Sequence, residues 1–260
     1  MAHNRRTEAF TRRDLVVVIA VLVVLGIFLI PALQRATQKS RSICCNCNLK
    51  QIGTAYRIWA NDNGDQFPAF APITNGGWSN LLYRTNASTY AWTNYVLMAN
   101  ELGQSPLVLV CPADERKPAD SISNLANTNL SYFVGVNAND TYPQSLLGGD
   151  RNLGPGTTPD PEYGFSPADG RGNDVVIAGP VCWSLKMHSR GNPAGLGNIL
   201  LGDGSAQQAT SASLEADWVR NAFATTSVYV KSTNSTGVSM SGTITHNPAT
   251  NLPAPRLIFP

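Results

Sequence analysis

Few residues of this 260-residue chain could do chemistry. Cys44, Cys45 and Cys47 fall within one helical turn of each other, Cys111 and Cys182 stand apart, and His188 and His246 are the histidines beyond the first ten residues. Such a set admits disulfide closure, metal ligation or a Cys–His nucleophile. On a helix of 3.6 residues per turn, Cys47 points about 200° and Cys44 about 100° away from Cys45. The trio therefore diverges and is a poor metal cage. A His-dependent nucleophile needs Ser or Cys on one side of the ring and an orienting group on the other. Ser166, in Gly164-Phe165-Ser166-Pro167-Ala168, lacks the second Gly of a nucleophile elbow. His188 with Asp203 would make a base and its orienter, a pair more often structural than catalytic. No carboxylate spacing singles out a glycosidase pair. Asp62 and Asp65 resemble half of a calcium loop whose bidentate Glu is missing, so a turn explains them better. The expectation is a protein without catalytic residues, metal or cofactor.

The elements that place these residues begin with an uncharged apolar run from Leu15 to Leu33. At about 1.5 Å per residue it reaches roughly 28 Å, close to the ~30 Å hydrocarbon core of a bilayer. A secretory signal would be shorter and end at a small-residue cleavage site, whereas this run continues through Phe28, Leu29 and Ile30 to Pro31. Asp14 at its edge is costly without a partner. From Gln34 to about Asn61 no Pro interrupts, and Cys45, Leu49, Ile52, Tyr56 and Trp59 recur at helical spacing, so one face is buried. Together the two stretches predict a rod of roughly 75 Å with a kink at Pro31.

Beyond this helix the chain reads as one core-bearing domain of mixed strands and loops. The pattern predicts a helix over Trp92 to Leu102, strands over Leu107 to Val110 and Leu130 to Val136, and a long surface loop over Gly148 to Asp174. Asn198 to Gln207 reads as a hairpin with Asp203-Gly204 as its tight turn. A helix from Leu214 to Phe223 capped by Ser213 follows, then edge strands and loops to Pro260. Trp78, Trp92, Trp183 and Trp218 are read as core anchors. The formal net charge is +2, and no basic patch interleaved with aromatics supports nucleic-acid binding.

The N-terminal segment resembles the type IV pilin-like family, whose precursors carry a short basic leader, a cleavage site before Phe, then Thr, and an acid five residues into the mature chain. Here these are the leader ending at Ala9, then Phe10, Thr11 and Asp14. The resemblance implies cleavage between Ala9 and Phe10 by a prepilin peptidase, N-methylation of Phe10, and Asp14 as the acid that sets register between subunits. Ala9 stands where the family has Gly, Asp14 where it has Glu, and Arg12 and Arg13 replace apolar residues. Their long side chains can snorkel toward the headgroups. Arginines flank the span on both sides, so the cytoplasmic N-terminus follows from the leader resemblance more than from charge.

Further islands resemble a pseudopilin-like subfamily abundant in planctomycete and verrucomicrobial lineages: Cys47 to Gly53, Asn61 to Gly64, Phe67-Pro68, Cys111-Pro112-Ala113-Asp114, Ser131-Tyr132-Phe133 and Gly149-Asp150-Arg151-Asn152. Its closing signature, a His followed by Asp-Gly, is matched by His188 and Asp203-Gly204 with a longer spacing, read as an insertion at Arg190 to Leu196. The resemblance implies an α+β, pilin-like fold. In it, residues 1–9 are leader, 10–61 the long helix with its membrane span 15–33, and 62–260 an extracytoplasmic antiparallel sheet domain with short extra helices. Cys45 matches the family's cysteine and Cys111 stands in the Cys-Pro element, which points to a Cys45–Cys111 disulfide. Two functions compete. One is a structural subunit of a type IV pilus-like or type II secretion pseudopilus filament, partnered by the cytoplasmic membrane, the peptidase and other pilin-like subunits. The other is a membrane-tethered module that binds a glycan or surface ligand and never polymerises.

Overall fold

A computed structural model describes residues 12–78, 90–140, 142–177, 179–190, 192, 194–219, 230–231 and 256–260. The chain divides into two units, 1–40 and 41–260. Helix α1 runs Arg12–Asp62 with Pro31 inside it. In the first unit its large apolar side chains, from Leu15 through Phe28 to Leu33, are exposed. Among the described residues, α1 is the one helix long and apolar enough to cross a membrane, and its apolar window has no burial. Ala9 and Phe10 lie outside the described residues.

In the second unit, the stripe expected from helical spacing is the stripe that is buried. Cys45, Leu49, Ile52, Tyr56 and Trp59 all face the core. Their partner is an antiparallel seven-stranded sheet built from β1 (Tyr132–Gly135), β2 (Leu146–Asp150), β4 (Asn173–Val176), β6 (Leu196–Leu201), β7 (Ala206–Thr210), β8 (Val230–Lys231) and β9 (Arg256–Phe259), in the order β7-β6-β2-β1-β9-β4-β8. Strands β3 (Leu153–Pro155) and β5 (Val181–Trp183) form a second, two-stranded sheet. The period-2 alternation of strands sends successive residues to opposite faces. Tyr132, Val134, Leu147, Leu200 and Ile258 join the core that contains the α1 stripe. Phe133, Leu146, Ile199, Leu201, Leu257 and Phe259 join a second core with Leu153, Val181 and Trp183 of β3 and β5. Both faces of the central strands are covered, so they read as apolar runs rather than as alternation.

Several elements depart from the sequence reading. Leu107 to Val110 is not a strand: a 3-10 turn spans Pro106–Leu109, because Pro106 presets the first helical position and lacks the N–H a strand would need. The regular part of the next helix, α2, is only Trp92–Leu97, and looser turns lead to Gly103 at φ +62. Gly148 to Asp174 is a surface loop only in its middle, where residues 156–172 are turns that are mostly exposed or half-buried. It contains the end of β2, all of β3 and the start of β4, and Asp150, Arg151 and Asn152 are buried. The segment after the hairpin is capped by Thr210 through a reciprocal capping box with Ser213, and it opens into a π-helical stretch Leu214–Val219. The C-terminal Arg256–Phe259 is an interior strand between β1 and β4, not an edge.

The hairpin itself is where it was expected, with a different turn. Gly204 N–H donates to Leu201 O and Leu201 N–H to Ser205 O, giving a three-residue loop Gly202-Asp203-Gly204 with only Gly204 at positive φ, +81. Its tip meets α1, where Arg57 Nη1 donates to Asp203 O at 3.1 Å. A Cβ on Gly53 would stand 2.7 Å from Leu200 Cδ1 and 2.9 Å from Gly204 O. Only glycine lets helix and hairpin approach this closely.

Candidate functional site

Four sequence islands converge behind α1. Cys45, on the buried stripe, forms a disulfide with Cys111, which follows the 3-10 turn after β-extended Val110, with a Cα–Cα distance of 5.1 Å. Asn48, one turn further along α1, donates to Val110 O at 3.2 Å and fixes the same junction. The disulfide implied by the resemblance is thus present. Cys44 and Cys47 are exposed free thiols and Cys182 is a buried one.

Directly against this bond lies His188, in the short turn Met187–Ser189. Its Nε2 is 3.2 Å from Cys111 Sγ and 3.5 Å from Asp150 Oδ2, and both side chains are almost fully buried. The acid beside His188 is therefore Asp150 at the end of β2, not Asp203. The Asp203 side chain instead accepts from Ser205 N–H within the hairpin loop. Asp150 Oδ2 accepts from the backbone N–H of Asn198 at 2.6 Å and from its side-chain amide at 3.0 Å, while Oδ1 has no hydrogen-bond partner. Burial pushes the Asp150 carboxyl up to about 8, against the lowering effect of the Asn198 bonds. Burial likewise pulls His188 down to about 4, opposed by the charge of Asp114. Burial thus disfavours the charged form of both groups.

The neighbouring island supplies a paired charge. Asp114, of the Cys-Pro-Ala-Asp element, receives both Arg151 Nε at 2.7 Å and Arg151 Nη2 at 2.9 Å, a bidentate bridge. Tyr163 Oη and Glu115 N–H donate to the same carboxylate, and the Arg151 guanidinium lies 3.4 Å over the Tyr163 ring. Burial alone would raise the Asp114 carboxyl, but the bonds and charge of Arg151 outweigh it and hold it below its ordinary value. Asn152 completes the group by donating to Lys186 O at 3.1 Å and accepting from Ser184 N–H at 2.7 Å, which pins the segment carrying His188. Met187 in that segment sits at φ +51, a left-handed conformation costing about 1–2 kcal/mol that these bonds hold in place.

This geometry restricts the chemistry. A nucleophilic relay uses one ring nitrogen toward the nucleophile and the other toward the acid, whereas Nε2 of His188 faces both Cys111 and Asp150. Cys111 is also engaged in the disulfide. The cluster joins the helix to the sheet through a covalent bond, a buried ion pair and a polar network. A donor set does exist here, in the side chains of Cys45, Cys111, Asp150 and His188, rather than in the helix trio Cys44, Cys45 and Cys47. The Asp150 and Arg151 roles carried a signal in the sequence, the Gly149-Asp150-Arg151-Asn152 island, but no spacing connected it with His188. Neither a family model nor a curated protein nor a solved structure matches this chain.

Proposed function

We propose that this chain is a structural subunit of a type IV pilus-like or type II secretion pseudopilus filament, cleaved between Ala9 and Phe10 by a prepilin peptidase and N-methylated at Phe10. The observation that carries this reading is the division of one helix, Arg12–Asp62, into an exposed apolar half and a half whose buried stripe is part of a sheet-domain core. In this reading the apolar half sits in the cytoplasmic membrane with its N-terminus on the cytoplasmic side. The sheet domain then lies in the periplasm, at the cell surface or in an extracellular filament. Asp14, in the first turn of α1, pairs with the mature amine of a neighbouring copy, because opposite charges at that depth are tolerated together and costly apart. The disulfide clamp supports the same role, since a filament subunit must hold its sheet domain to the helix that packs. No catalytic residue is assigned.

N-terminal sequencing of membrane-extracted protein should begin at methylated Phe10. Crosslinking from the sheet domain in intact cells should give a ladder of self-crosslinked multimers, and Asp14→Ala should abolish the ladder while leaving the protein displayed. Filaments assembled with the leader uncut, or display as isolated copies only, would defeat this reading in favour of a tethered module binding a glycan or surface ligand.

A further inference from the structure

Four donor atoms from four separate segments meet behind α1: Cys45 from the helix, Cys111 after the 3-10 turn, Asp150 from the end of β2 and His188 from its short turn, all within 4.8 Å of one another. We propose that, when the Cys45–Cys111 disulfide is reduced, these four side chains bind one zinc ion, so that the helix–sheet clamp is either covalent or metal-held. Thiolates, imidazoles and carboxylates are all zinc ligands, at about 2.3 Å for sulfur and about 2.0–2.2 Å for nitrogen and oxygen. Tetrahedral geometry at those lengths separates the donors by roughly 3.3–3.8 Å. His188 Nε2 already stands 3.2 Å from Cys111 Sγ and 3.5 Å from Asp150 Oδ2. Opening the sulfur–sulfur bond is the principal movement required.

Two observations favour a cation over a packing accident. First, a single ring nitrogen of His188 lies close to both the sulfur, at 3.2 Å, and the carboxylate, at 3.5 Å, as a ligand of a shared centre would. Second, Asp150 is fully buried with Oδ1 unpartnered, while the adjacent Arg151 guanidinium is committed to Asp114. The Asn198 bonds to Asp150 Oδ2 would orient the carboxylate as outer partners of metal ligands do.

The two states exclude each other and the conversion balances. A dithiol reductant supplies two electrons and two protons, the disulfide opens to two thiols, and the reductant becomes a disulfide. Zinc binding then displaces both thiol protons to solvent, and with them the Asp150 proton wherever that carboxyl is protonated. The proposal is independent of whether the chain polymerises.

The test uses the full chain in detergent micelles, reduced with a phosphine, stripped by chelator, kept anaerobic and titrated with Co2+. We expect one Co2+ per reduced chain with sulfur-to-metal charge-transfer and tetrahedral visible bands, displaced by Zn2+, and none on the oxidised chain. Zinc should protect Cys45 and Cys111 from alkylation while Cys44 and Cys47 remain reactive, read by mass spectrometry on the unaltered sequence. His188→Ala removes one of the four ligands and should weaken Co2+ binding by more than the roughly 10–100-fold typical of losing an outer partner of a ligand. Equal Co2+ uptake by the oxidised chain would overturn the proposal. So would protection of Cys44 and Cys47 in place of Cys45 and Cys111, or a reduced chain that takes up no Co2+.

Discussion

Removing the Cys45–Cys111 bond should cost the sheet domain a calculable stability. The bond closes a stretch with a sequence separation of 66. In the chain-entropy description, a loop of that size restrains the unfolded chain by about 4.3 kcal/mol at 25 °C. For a domain of about 200 residues each kcal/mol moves the melting point roughly 2–4 °C, so the expected loss is about 9–17 °C. The variant is Cys45→Ala with Cys111→Ala, because serine would add hydroxyls at two fully buried positions. Thermal unfolding in detergent, followed by the near-ultraviolet dichroism of the buried Trp78 and Trp183, compares it with the oxidised parent in metal-free buffer. The double variant Cys44→Ser with Cys47→Ser controls for loss of thiols as such and should melt with the parent. If the alanine variant melts within about 2 °C of the parent, the disulfide does not restrain the unfolded chain as reasoned here.

Asp114→Asn should destabilise by about 3–5 kcal/mol, since it leaves the buried Arg151 charge without its carboxylate. Because the Asp114 carboxyl is held below its ordinary value, its contribution is complete above the unfolded value of about 3.9 and fades as pH falls below it. The denaturation midpoints of parent and variant should therefore converge on acidification, and a gap that widens would refute the sign. Gly53→Ala gains up to about 1 kcal/mol of helix propensity but forces a Cβ against Leu200 and the Gly204 backbone, for about 1–3 kcal/mol of overpacking. Net destabilisation by chemical unfolding is expected, and a more stable variant would contradict the close helix–hairpin approach. Alkylation of the folded chain should label Cys44 and Cys47 quickly. Cys182 should react slowly, because burial raises its thiol and its Sγ donates to Thr158 O. Mass spectrometry showing uniform labelling would count against its burial.

The sequence alone determined the features whose physics is local. An apolar run needs only its own length to be read as a span, and the Cys45-to-Trp59 stripe needs only the helical repeat to declare its buried face. The β6–β7 hairpin is legible from Asp203-Gly204 directly after the apolar run Ile199-Leu200-Leu201, although its three-residue loop depends on Gly204 alone adopting positive φ. Tertiary structure decided whatever depends on partners remote in the chain. Arg256–Phe259 reads as an edge in the sequence because nothing local reports that β1 and β4 flank it. Gly148 to Asp174 reads as solvent-exposed loop because its Gly, Pro and Asp residues are common in turns, and its middle is one, but Asp150 and Arg151 at its start are buried among their partners. The sequence offers Asp203, of the His…Asp-Gly signature, as the acid beside His188, yet the sheet brings His188 to Asp150 and to the sulfur of Cys111. A side chain's chemistry is written in its residue type, but its partner is set by strand order, and strand order arises only when separated segments share one core.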